Sequence, residues 1–119
     1  MSGNNPSVKT WRATSGTSAL TSSGVTQVVA SGGTGVKHYV TDIQVVNSGA
    51  SADAMVSLLD GASTVIWTTF CPATGAGLQA VPVNVSFSTP LQCTASTILN
   101  LKASASSSIL YNVQGFDAP

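Results

Sequence analysis

Glutamate is absent from this chain, and its acids are four aspartates, Asp42, Asp53, Asp60 and Asp117. The bases are Lys9, Arg12, Lys37 and Lys102, so the net charge is zero and charged residues make up only 7% of the sequence. An ordinary soluble domain carries roughly 25%. Nucleic-acid binders draw affinity from clustered Lys and Arg that displace counterions, and four dispersed bases exclude that class. No apolar run approaches the roughly 18 residues that a membrane helix needs, so no membrane partner is expected. The opening MSGNNPSVKTW lacks the basic start and apolar stretch of a secretory signal, which predicts synthesis in the cytoplasm without Sec export. Cys71 and Cys93 are the two cysteines. They can pair, or they can stay as buried thiols that pack like small hydrophobes. Cytoplasmic synthesis favours the reduced form, and their spacing matches no metal motif.

The inventory for chemistry is equally thin. His38 is the only histidine, and Asp42 follows it on the same strand face. Four residues along a strand is about 13 Å, too far for the hydrogen bond that a catalytic relay requires. The expectation for His38 is a surface or interface position. Asp60 is explained by a turn with Gly61, Asp53 lies in a loop of small residues and Asp117 lies near the end of the sequence. No carboxylate pair for glycosidase chemistry is signalled, and no DxDxDG calcium loop is present. SGGTG at 31–35 has the glycines of a phosphate loop without the Lys-Ser/Thr and helix that would follow. Asn84-Val85-Ser86 is a formal glycosylation sequon, read as chance without export. The sequence therefore predicts no enzyme, no cofactor and no metal.

What is there is patterning for strands. The chain has 119 residues, 43% of them hydrophobic, and a mean hydropathy of +0.31, enough for one folded domain. Val36 to Ser48, VKHYVTDIQVVNS, is the central strand. Its β-branched and aromatic residues suit a pleated surface. Strict alternation puts Tyr39, Thr41, Ile43 and Val45 on a core face. His38, Val40, Asp42, Gln44 and Val46 then meet solvent or a neighbouring subunit. Weaker strands are expected at Thr10–Leu20 and Val25–Ala30. AMVSLL at 54–59 and TVIWTTF at 64–70 flank Asp60-Gly61, the strongest hairpin signal in the chain, and Trp67 is expected in the core. VPVNVSF at 81–87 alternates cleanly, and Pro82, unable to donate to a ladder, predicts an edge or a bulge. ILNLK at 98–102 and ILYNVQGF at 109–116 complete the set. No segment sustains apolar spacings of three and four over a helix length. The fold class is all-β: a two-sheet antiparallel sandwich, jelly-roll-like, of about eight strands.

Residues 1–12 read as a polar N-terminal arm and 13–119 as the single sandwich domain. Trp11 can plug the end of the sandwich. Alternatively Lys9, Trp11 and Arg12 are partner-contact residues on an arm that orders when bound, Trp and Arg being the types that most often dominate interfaces.

YVTDIQVVNSGASA, a strand ending in LLDG, TVIW, VSFSTPL, ILNLKASAS and YNVQGF together resemble the small β-sandwich decoration, or cement, proteins of tailed-bacteriophage capsids. The resemblance spans residues 36–116 and rests on strand order and turn placement. It implies a non-enzymatic virion structural protein that sits as a homotrimer on the outer capsid surface and binds itself and a major capsid protein. The alternative is a receptor- or glycan-binding module of a head fibre or tail spike, which would need exposed aromatics; Trp67 and Tyr39 are the candidates.

Overall fold

The computed structural model describes residues 8–15, 20, 25–49, 52–73, 81–104 and 108–119. They form eight strands: β1 (Lys9–Thr14), β2 (Val25–Val29), β3 (Lys37–Asn47), β4 (Ala54–Asp60), β5 (Thr64–Cys71), β6 (Val83–Gln92), β7 (Leu99–Ala103) and β8 (Ile109–Ala118). Their pairing follows from one long ribbon. The first half of the chain lies antiparallel to the second, giving the pairs β1·β8, β2·β7, β3·β6 and β4·β5. Gly61 is at the apex with φ of 84°, a conformation that glycine adopts without steric cost. Rolling the ribbon adds β3·β8 and β4·β7 and closes two four-stranded sheets, ordered β1-β8-β3-β6 and β2-β7-β4-β5. Those interlocked orders are the jelly roll.

The apex is tied to the body of the domain. Asp60 accepts hydrogen bonds from the Thr94 amide at 2.9 Å and the Thr94 hydroxyl at 2.7 Å, and Asn100 Nδ2 donates to the Gly61 carbonyl at 2.7 Å. The core lies between the sheets. Val40, Ile43, Val45, Ile109 and Val113 of the first sheet face Val56, Leu58, Leu99 and Leu101 of the second, all 0–1% exposed. Each such side chain contributes about 1.5–3 kcal/mol on burial. Trp67 is half-buried at the margin of this core, edge-on to Phe87 with ring centroids 6.5 Å apart. β6 is an edge strand, as Pro82 predicted, and it runs further than expected. Its pairing with β3 breaks after Ser86 and resumes at Leu91, so Pro90 sits in the irregular stretch, where no ladder amide is required.

The central strand departs from the sequence reading in one respect. His38, Val40, Ile43, Val45 and Asn47 are the buried positions of β3. Alternation therefore slips between Val40 and Ile43. The cause is a bulge: Val40 pairs with Gly115 and Asp42 with Gln114, leaving Thr41 as the extra residue. One extra residue exchanges the two faces of everything before it. Tyr39 consequently points out of the sandwich and stacks on Phe116, centroids 4.9 Å apart and planes within 9°. His38, expected at the surface, is 1% exposed. Thr41 Oγ1 donates to the Gln114 carbonyl at 3.2 Å and anchors the bulge.

Cys71 and Cys93 are both buried and unpaired. The Cys93 thiol is pushed up to about 12 from 9.0, chiefly by burial and then by the negative charges of Asp60 and Asp117; burial raises Cys71 as well. A group whose pKa is higher folded than unfolded stabilises the fold fully below the unfolded value and loses that contribution as pH rises towards the folded one. Stability is therefore expected to fall between pH 9 and about 12, with a slope approaching about 1.4 kcal/mol per pH unit. Urea melts across that range check it, and Cys93→Ala should flatten the slope. A thiol reagent near neutral pH should label neither cysteine in the native protein and both in denaturant.

Candidate functional site

The residues singled out for partner contact lie on β1, an edge strand of the first sheet. β1 begins at Lys9, so all three belong to the sheet, and residues 1–7 of the expected arm lie outside the described residues. Alternation on β1 separates the three. Lys9 and Trp11 share one face, and both line a groove of about 440 Å³ with Val29, Ser31, Val36 and Asp117. Arg12 is exposed on the other face, in a register row with Gln114, Asp42 and Ser86 across the outside of the sheet. The structure thus brings Lys9 and Trp11 together and leaves Arg12 apart.

Beneath the groove lies a cluster that the sequence reading missed. β8 pairs with β1 on one side and β3 on the other, so Lys9, Asp117 and His38 form one cross-strand row. Residues directly opposite on neighbouring strands share a face. Asp117 Oδ1 accepts from Trp11 Nε1 at 2.8 Å and pairs with His38 Nδ1 at 2.5 Å. The His38 ring stands nearly perpendicular to the indole, centroids 5.9 Å apart. Trp11 is half-buried against the core, in agreement with the plug reading. Its one polar group is engaged inside the protein. No sequence signal linked these residues: His38 and Asp117 are 79 positions apart, and only the rolled ribbon brings them together.

The cluster has two members of a serine-hydrolase relay, and among the described residues no hydroxyl completes it. In such a relay the outer imidazole nitrogen faces a hydroxyl. Here the carboxylate fixes the proton on Nδ1, and His38 Nε2 is buried with no hydrogen-bond partner. A substrate cannot reach a ring that is 1% exposed. The group is a structural clasp joining β1, β8 and β3. Asp42, the partner considered from sequence, instead accepts from Ser86 Oγ at 2.5 Å on the outer face. Asp53 accepts from the Ala73 amide at 2.6 Å. With Asp60 on Thr94 and Asp117 in the clasp, each of the four acids holds a structural hydrogen bond. Among the described residues no three His, Cys, Asp or Glu side chains converge as metal ligands.

No known protein family matches the chain, and no curated protein does. Among solved structures, the chain is similar to a pentameric capsid protein isolated from metagenomic phage sequences. The identity is 16% and the TM-score 0.34, with 94% of this chain covered. This chain spans 61% of that protein's length.

Proposed function

We propose that this chain is a non-enzymatic virion structural protein that decorates and stabilises the outer surface of a phage capsid as a homotrimer. The observation that carries this reading is where the ionisable groups go. All four aspartates hold structural hydrogen bonds, and the single histidine is sealed inside beside one of them. What faces outward is a set of nearly neutral sheet faces and edges, a surface suited to being covered by other protein. Three copies docking together on a symmetric lattice multiply a weak contact through effective concentration. A ligand that binds only the assembled shell stabilises that shell by linkage.

Lys9 and Arg12 are exposed along β1 and are the contact residues of this reading, together with residues 1–7 ahead of the strand. Trp11, held inward by Asp117, positions β1 beneath them. Removing residues 1–7 and substituting Lys9→Ala and Arg12→Ala is expected to leave a folded assembly that binds capsids at least about 30-fold more weakly, the loss typical of interface hot spots of about 2 kcal/mol. Co-sedimentation with mature capsids measures this, and cryo-EM of the decorated particle locates the domain. Unchanged binding, or no density on the outer shell, would refute the reading. The outward Tyr39, stacked on Phe116 with Thr10 and Gln92 in its register row, is the observation that favours the glycan-binding alternative. A glycan array separates the two.

A further inference from the structure

The outer face of the first sheet is made of the positions that alternation turns away from the core, and one row of it consists of carboxamides. Asn112 of β8 pairs in register with Gln44 of β3, and Gln44 with Asn84 of β6. Residues opposite one another on adjacent strands share a face. Strands lie about 4.8 Å apart, so the three amides stand side by side over about 10 Å. Their chain neighbours Val45 and Val113 are 1% and 0% exposed. Gln44 and Asn84, by contrast, are exposed, and Asn112 is half-buried. None of the three carboxamides hydrogen-bonds another protein group among the described residues.

The row lines a hollow of about 290 Å³, together with the apolar Val46, Leu110 and Pro82. That volume lies at the lower end of the range for small-molecule sites, about 300–1,000 Å³. No charged side chain lines the hollow. Arg12 and Asp42 stand in the next row, opposite in sign, and Asp42 is already engaged by Ser86. The hollow therefore favours neither an anion nor a cation.

The chemistry of the lining selects the class of ligand. Phosphates, nucleotides and charged peptides meet no counter-charge here. A peptide strand cannot extend the sheet at Gln44 or Asn112, because β3 and β8 are paired on both sides and strand addition needs a free edge. Each carboxamide offers two N–H donors and an acceptor oxygen, and each hydroxyl offers one donor and two lone pairs. A neutral ligand with hydroxyls on neighbouring carbons satisfies both halves of an amide at once, and its C–H face can rest on Val46, Leu110 and Pro82. We infer that this hollow binds a neutral saccharide, with Gln44, Asn84 and Asn112 as the hydrogen-bonding residues. The inference rests on the glycan-binding alternative above and moves its site from Tyr39 to the amide row, about 13 Å further along the strands. The decoration role neither requires this site nor is refuted by it.

The test is an NMR titration of the isotope-labelled full chain with neutral disaccharides: maltose, cellobiose, lactose, mannobiose and diacetylchitobiose. The readout is the side-chain amide signals of Gln44, Asn84 and Asn112. At least one sugar should move all three signals saturably, with a Kd in the millimolar range. Gln44→Ala combined with Asn112→Ala removes two neutral hydrogen bonds and should weaken that binding about tenfold. Tyr39→Ala should leave it unchanged. Three signals that stay fixed with every sugar at tens of millimolar, or a folded double variant that binds like the wild type, would overturn the inference. Movement confined to Tyr39 and Phe116 would also overturn it, and would leave the glycan reading with its aromatic site. Capsid co-sedimentation of the double variant should match the wild type; its loss would assign the row to a protein interface instead.

Discussion

Gly115→Ala is expected to cost at least about 4 kcal/mol, at the extreme of what a single substitution does. Gly115 lies on β8, between Trp11 of β1 and Val40 of β3 in register. A Cβ there would overlap the Tyr39 carbonyl oxygen, with Trp11 Cζ2 at 2.7 Å and the Tyr39 carbonyl carbon at 3.0 Å. Ordinary overpacking costs about 1–3 kcal/mol because side chains can rotate away. The nearest obstacle here is backbone, and β3 is held by ladders on both sides. Relief would have to pull apart the pairing of β3 with β8 or expel Trp11 from the core margin. In a domain of this size the thermal midpoint should fall by roughly 12–20 °C, with failure to fold as the limit. Gly32→Ala is the comparison. Its Cβ would approach Val36 Cγ1 at 2.7 Å and Asp117 Oδ2 at 3.0 Å; both are side-chain atoms and neither is backbone, so the change should cost only about 1–2 kcal/mol. If calorimetry shows the two variants within a few degrees of each other, the close approach at Gly115 is not what holds β3 in place.

Gly115 also shows how far the sequence could be read. A glycine inside a strand pattern is a flag for a bulge or a close backbone approach, and here it marks both: Thr41 is the extra residue directly after its partner Val40. Alternation alone could not place that bulge. It fitted Ile43 and Val45 and then misassigned Tyr39 and His38, because parity is local and one inserted residue reverses it. Signals contained within a few residues were reliable for the opposite reason. Asp60-Gly61 specified the apex, and Pro82, just ahead of β6, pointed to an edge or a bulge. The clasp was out of reach because its members come from three strands, and their meeting depends on the ribbon being rolled. Contact residues on β1 were named by type, as Lys9, Trp11 and Arg12, yet their division between two faces required knowing that the segment is paired with β8.

Asp117→Ala is expected to be the most damaging substitution of a polar side chain, at about 2–4 kcal/mol. It removes the carboxylate, one oxygen of which serves two donors, Trp11 Nε1 and His38 Nδ1. Each buried donor left unsatisfied costs about 1–3 kcal/mol. His38 then has both ring nitrogens without partners in a site 1% exposed. The loss is held below the simple sum because the Asp117 side chain is 14% exposed, and water entering from the groove can replace part of the carboxylate. Asp117→Asn keeps an acceptor oxygen and loses its charge, so about half the effect should remain. The decisive measurement is a double-mutant cycle with Trp11→Phe, which deletes the indole N–H while keeping an aromatic ring. The two changes share one hydrogen bond, and their coupling should be about 1–2 kcal/mol. Strict additivity would show that β1 is held by the burial of Trp11 alone. A measurable coupling, accompanied by faster hydrogen exchange across Lys9–Thr14 in Asp117→Ala, would show that the clasp decides whether the strand carrying Lys9 and Arg12 is presented at all.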